Sequence, residues 1–133
     1  MRAFHIEIVT PDGLDFSGEV ESLLVRTDDG DVEILAGHTD LLASVSTGRV
    51  RILQNGQSRF ASVNGGFLSV SNGKVRLCAI TFEFADQIDL KRAEAAKERA
   101  ESALRSAKDE RDERVAKAKL ARAASRIKVA NMK

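Results

Sequence analysis

From residue 88 to its end the chain contains no glycine, no proline and no aromatic side chain, and this absence constrains the fold more than any other feature. With no breaker present, apolar residues recur in steps of three and four. Ala93, Ala96, Ala100, Ala103 and Ala107 line up in the first half, and Ala116, Leu120, Ala123, Ile127 and Ala130 in the second. That spacing is the period of an amphipathic helix. The stripe is mostly alanine, so two such helices approach closely while each residue buries only a methyl group, about 0.8 kcal/mol. A helical pair held this weakly is suited to movement.

Asp89 is placed to be the N-cap of a first helix. Ser106-Ala107-Lys108-Asp109 has the form of a capping box that starts a second. Asp109, Glu110, Asp112 and Glu113 then sit near its amino end and basic residues toward its carboxyl end, both favoured by the helix dipole. No glycine or proline enforces a break between the two. The same residues are compatible with one continuous helix of about 43 residues, roughly 65 Å long. A hairpin and a rod are both allowed.

Residues 1–85 follow another rule. Phe4, Ile6 and Ile8 alternate with His5, Glu7 and Val9, the period of a half-buried strand. Thr10-Pro11-Asp12-Gly13 and Asp28-Asp29-Gly30-Asp31 are turns. Asn55-Gly56 and Asn72-Gly73 carry the signature of type I′ hairpin turns. Strands are expected over residues 20–26, 32–35, 42–46, 48–53, 57–63 and 67–71, with Asn64-Gly65-Gly66 separating the last two, and over a final alternating stretch in which Val75, Leu77 and Ala79 point one way. Short strands with glycine-rich turns argue for an antiparallel sandwich or barrel. All nine glycines fall at or before Gly73 and all six phenylalanines at or before Phe84. The composition therefore breaks near Ala85, giving a β domain over residues 1–85 and an α domain over residues 86–133.

The charge divides at the same place. The formal net charge of +1 conceals an acidic first part and a basic second part, and residues 114–133 contain no acid at all. Such a block points to an acidic partner, whether protein, nucleotide or nucleic acid. The single cysteine, Cys78, is expected to be a buried, inert thiol in a reducing compartment. No stretch approaches the roughly 20 apolar residues of a membrane span, and the amino terminus lacks a signal-peptide pattern. A soluble chain is expected, or one that meets a membrane only through partners. Two histidines and one cysteine do not make a zinc site. His38 beside Asp40 has no serine or cysteine spaced to serve as an activated nucleophile, and His5 belongs to a strand. There is no phosphate-binding loop of the G-x-x-x-x-G-K-[ST] form, so a catalytic nucleotide site is not expected.

Four stretches, taken in order, carry a family resemblance: Val9-Thr10-Pro11-Asp12-Gly13, Ile34-Leu35-Ala36-Gly37-His38, Gly65-Gly66-Phe67-Leu68-Ser69-Val70, and residues 88–93 followed by the alanine-rich tail. Over essentially its whole length the chain resembles the ε subunit of bacterial and chloroplast F-type ATP synthases. It departs from the family at Ala36, where proline is usual, and at Glu33, where glycine is usual. The resemblance implies a sandwich of about ten strands followed by an antiparallel two-helix hairpin. It implies a non-catalytic place in the rotating central stalk, against the γ subunit and the ring of c subunits, at the cytoplasmic face of the bacterial plasma membrane. It also implies a regulatory tail that permits ATP hydrolysis when folded down. Extended along γ, the tail inhibits hydrolysis and turns its basic face to an acidic segment of the catalytic β subunit.

The resemblance further implies site residues. The family's nucleotide motif is matched at Ile88, Asp89, Arg92 and Ala93, and further ATP-binding positions correspond to Glu83, Arg99, Arg122 and Arg126. Asp31 and His38 are implied to face the c ring, and Arg114, Lys117, Arg122 and Arg126 to form the basic face toward β. No cofactor is required, and ATP is a candidate regulatory ligand. The spacing is physically sensible. Arg92 and Arg99 lie two helical turns apart, Arg122 and Arg126 one, so each pair shares a face. Closing the hairpin gathers four guanidiniums around a triphosphate. Two readings compete with the resemblance: a free-standing ATP sensor, and a nucleic-acid binder using the basic tail. The absence of aromatics beyond Phe84 for base stacking argues against the second. The plain alternative for the arginines is a solvated helix face.

Overall fold

The computed structural model describes residues 2–132, so Met1 of the expected β domain and Lys133 of the expected α domain lie outside the described residues. Seven strands come first: β1 Phe4–Thr10, β2 Gly13–Val20, β3 Ser22–Thr27, β4 Gly30–Ile34, β5 Leu41–Gln54, β6 Gln57–Ser71 and β7 Lys74–Phe84. A single 3-10 turn, Ala85–Gln87, leads to α1 Leu90–Arg105 and α2 Glu110–Ala130.

The strands hydrogen-bond in the order β2-β1-β7-β6-β5-β3-β4. Every neighbouring pair is antiparallel except β1 and β7, which run parallel with Ile6 beside Val75 and Ile8 beside Leu77. Only Glu21 separates β2 from β3, although they stand near opposite edges of the order. The sheet must therefore curl back on itself. The amide of Glu21 donates to the carbonyl of Leu53, and the side-chain amide of Gln54 to the carbonyl of Glu19, tying the edge strand β2 to β5. Inside lies one core of Ile6, Ile8, Val20, Leu23, Val25, Ile34, Val50, Val63, Leu68 and Leu77, none with measurable exposure. The helices touch the strands chiefly at β5 and β6, so what covers most of this core is the sheet itself: a β-sandwich.

The structure has seven strands where about ten are expected, and two predicted pairs of short strands fuse. Residues 42–46 and 48–53 belong to one strand, β5, and residues 57–63 and 67–71 to another, β6. The glycines expected to separate strands instead bend one. Gly65 and Gly66 have φ of 64° and 129°, yet Gly66 still pairs with Val45 on one side and Ala79 on the other. A side chain at Gly66 would collide with the carbonyl of Cys78. β5 turns the same corner by an offset: Val25 faces Val50, but Thr27 faces Val45. Elsewhere the turn chemistry is as expected. Asn55-Gly56 (53°, 76°) and Asn72-Gly73 (50°, 79°) both adopt the positive φ angles of type I′ turns. Cys78 is half-buried on the outer face of β7 rather than in the core, because Leu77 and Ala79 take the inward positions.

The helical segment closes as a hairpin rather than a rod. Asp89 caps α1 by accepting the amide of Arg92 at 3.1 Å. The turn is written differently from the expected capping box. Ser106 ends α1, its hydroxyl donating to the carbonyl of Ser102 at 3.0 Å. Asp109 caps α2 by accepting the amide of Asp112 at 2.8 Å. A serine hydroxyl can serve the carbonyls of a helix it ends as readily as the amides of one it begins. Counting outward from the turn sets Ala100 against Ala116 and Ala93 against Ala123, and all four are buried. Ala103 is exposed, so the alanine seam is narrower than the sequence stripe.

Candidate functional site

The carboxyl end of α2 carries the hairpin to the sandwich. Val129 (1% exposed) and Ala130 pack on Ala85 and Ile88 at the linker, with Phe60 and Leu90 around them, forming a second apolar cluster apart from the main core. Ser125 hydrogen-bonds the buried Ser62 of β6 at 3.3 Å. The Arg126 Nε donates to Oε1 of Glu83 at 2.7 Å, and its Nη2 reaches Oε2 at 3.4 Å, so the pair is forked.

Above that ion pair opens a cleft of about 640 Å³ with three walls. α1 supplies Ala96, Arg99, Ala100 and Ala103, α2 supplies Lys119, Arg122, Ala123 and Arg126, and β7 closes the end with Thr81 and Glu83. The hairpin explains the space: opposed alanines bring the backbones close but fill little of the groove beside them. Four cations thus surround one carboxylate, and that carboxylate is already engaged by Arg126. A groove of this make-up attracts an extended polyanion, with charge-assisted hydrogen bonds available from three guanidiniums and an ammonium.

Of the expected nucleotide positions, the structure brings Glu83, Arg99, Arg122 and Arg126 to this one cleft. It does not bring the other four to its lining. Ile88 is buried in the small apolar cluster, Asp89 is engaged as a helix cap, Ala93 is fully buried, and Arg92 is exposed. The expected basic face divides likewise. Arg114 is exposed and Lys117 pairs with Glu113 at 2.8 Å on the outer side of α2, whereas Arg122 and Arg126 line the cleft.

Asp31 is the second residue of β4, and His38 lies in the loop beyond its last residue, Ile34. Asp31 accepts from the Arg26 Nε at 3.0 Å, in a groove shared with Lys128 of α2. His38 follows the 35–38 turn, with Nδ1 at 2.7 Å from the carbonyl of Thr39. His5 hydrogen-bonds Ser17 at 3.1 Å on the sheet surface.

Sequence reasoning missed Lys119 and Thr81. Lys119 was visible in principle, since positions 119, 122 and 126 follow the same three-and-four spacing as the alanines. It also missed Val129, the residue most completely buried where α2 meets the linker. A further feature is an apolar strip on the outer face of the sheet. Cross-strand register sets Leu14 beside Val9, Val9 beside Cys78 and Cys78 beside Phe67. Ile80 and Leu42 flank this row on the same face, and Leu14 (60%), Ile80 (60%) and Leu42 (74%) stand well out of the surface.

Comparison with known proteins decides the family. The ATP synthase Delta/Epsilon chain beta-sandwich domain matches residues 3–85, and the long alpha-helix domain of the same chain matches residues 86–131. The chain belongs to the ATP synthase Delta/Epsilon family. It is 42% identical over 130 residues to the ATP synthase epsilon chain of Bacillus velezensis, covering 98% of each. It is 40% identical over 112 residues to that of Bacillus subtilis, covering 84% of this chain and 85% of the relative. The fold is also that of a chain in the Euglena gracilis mitochondrial ATP synthase structure, with a TM-score of 0.83 at 20% identity, covering 97% of this chain and 81% of that one. No helix among the described residues is long and apolar enough to cross a membrane.

Proposed function

We propose that this chain is the non-catalytic ε subunit of an F-type ATP synthase central stalk, with residues 1–85 as its docking domain and residues 86–133 as a mobile regulator of ATP hydrolysis. The observation that carries the regulatory part is the cleft: closing the hairpin on the sandwich is what assembles Arg99, Arg122, Arg126 and Glu83. A ligand that fits only the closed state stabilises it by RT ln(1 + [L]/Kd), about 2.7 kcal/mol at a hundredfold excess. ATP has the charge and length for the groove. Closure also withholds Arg122 and Arg126 from an acidic segment of the catalytic β subunit, while Arg114 and Lys117 stay available. Inhibition by the basic face therefore requires opening, and ATP opposes it.

The apolar strip of Leu14, Phe67, Ile80 and Leu42 supports docking of the sandwich on the γ subunit, because an uncovered row of this kind marks an interaction surface. The c ring is met through residues 28–40, which carry Asp31 on β4 and His38 in the loop after it. Through these partners the subunit sits peripherally at the cytoplasmic face of the membrane, and it needs no cofactor of its own.

The test pairs calorimetry with activity. The wild-type subunit binds ATP at millimolar concentration or below, and Arg99→Ala with Arg126→Ala together weaken binding by more than about tenfold. Reassembled with the rest of the enzyme, Arg99→Ala alone, which leaves the basic face of α2 intact, keeps hydrolysis more strongly inhibited at high ATP than the wild type does. Unchanged ATP binding by the double variant overturns the assignment of the cleft.

A further inference from the structure

Lys119 lies outside the nucleotide positions that the sequence motif implies, yet its side chain lines the cleft. It shares one face of α2 with Arg122 and Arg126, three and seven residues on, so the three cations form a row about 10 Å long at 1.5 Å per residue. The row is electrically uneven. Its inner end, Arg126, is neutralised by the forked contact with Glu83. Its outer end has no such partner: Arg99, Lys119 and Arg122 make no ion pair with a carboxylate among the described residues. The count across the hairpin that pairs Ala100 with Ala116 puts Arg99 of α1 opposite residue 117, about half a turn outward of Lys119. Lys119 and Arg99 therefore stand on opposite walls near the outer end of the cleft, where the other α1 lining residues are Ala96, Ala100 and Ala103.

We infer that Lys119 is a binding residue of this cleft and that it reads the number of phosphates on a nucleotide. This rests on the nucleotide reading above and gives that site a direction. The anionic tail points outward, past Arg122 to Lys119 and Arg99, and the nucleoside points inward, where the Glu83 carboxylate and the Thr81 hydroxyl accept hydrogen bonds from its hydroxyl or amino groups. The reverse orientation sets phosphates against Glu83, a carboxylate against an anion. A row that begins neutral and ends cationic rewards each added phosphate at its outer end. A diphosphate stops short of Lys119, and a triphosphate reaches it.

The experiment titrates the full-length subunit with ATP, ADP and AMP by calorimetry for wild type, Lys119→Ala, Lys119→Arg and Lys117→Ala. Lys117→Ala removes the same charge from the outer side of α2, where Lys117 pairs with Glu113. The expected result for Lys119→Ala is ATP binding weakened about fivefold and ADP binding about twofold or less, with Lys119→Arg close to wild type and Lys117→Ala unchanged. Equal losses for ATP and ADP, or a loss with Lys117→Ala as large as with Lys119→Ala, overturn the inference while leaving the nucleotide site standing. No ATP binding by the wild-type subunit at millimolar concentration removes the nucleotide reading, and this inference with it.

Discussion

The sandwich and the helical hairpin are held by different kinds of contact. In the sandwich, Ile6, Ile8, Leu23, Val25, Leu68 and Leu77 contribute whole side chains to one core, each worth roughly 1.5–3 kcal/mol of burial. In the hairpin the seam is Ala93, Ala100, Ala116 and Ala123, each worth about 0.8 kcal/mol. The hairpin in turn meets the sandwich mainly through one end of α2: a small cluster around Val129, one serine pair and one forked ion pair. The difference teaches that one chain can carry a densely packed scaffold and a part held by far less apolar area. Little of the sandwich core depends on the hairpin, since the residues that form it all belong to strands.

The contrast is sharpest in the core. Leu77→Ala removes a side chain with no exposure and is expected to lower global stability by about 2–5 kcal/mol, read as a shift of the urea midpoint. A loss under about 1 kcal/mol would mean that the strands are no better anchored than the helices, and the contrast would fail. Val129→Ala comes next. It trims the anchor of α2 and is expected to cost about 1–3 kcal/mol, but locally. Amide exchange across α2 rises while that of β1, β6 and β7 stays at wild-type rates. Equal acceleration in the strands would show that hairpin and sandwich open as one unit.

The smallest effect belongs to the sheet surface. Arg76 donates to Glu7 at 2.8 Å, and this hydrogen bond holds the Glu7 carboxyl below its ordinary value of 4.5 and raises Arg76. A depressed carboxyl contributes stability above its unfolded value and loses it as pH falls through the folded one. Glu7→Gln is therefore expected to be slightly less stable than wild type at neutral pH, with the gap closing as acid takes pH below 4.5. The pair is exposed, so salt narrows the gap as well. A pH-independent gap would assign the effect to packing instead of charge.

Much of this molecule was legible in one dimension, where the cause was local. Period-two alternation gave Phe4, Ile6 and Ile8 to the core. Asn-Gly pairs set two hairpins, and the Asp89 cap followed from side-chain chemistry within three residues. Corners and ends were less legible. Gly65-Gly66 reads equally well as a strand end or as a bend, and only the neighbours Val45 and Ala79, which keep pairing through it, settle the matter. Ser106 likewise had two helices to serve, and the closed hairpin gave it to the first.

The candidate site shows the same division. The sequence by itself determined that the last third is helical, alanine-striped and basic, because spacing along a helix is fixed by its 3.6-residue turn. It could not decide between hairpin and rod, since an alanine seam contributes little and no residue forbids either form. The tertiary structure decided that Arg122 and Arg126 turn inward while Arg114 and Lys117 face solvent. It also gave Ile88 to packing, and made Lys119 a wall of the cleft. Those outcomes depend on which face of α2 meets β7, and that is set by the burial of Val129 against Ile88 and the fork between Arg126 and Glu83, contacts between residues some forty positions apart.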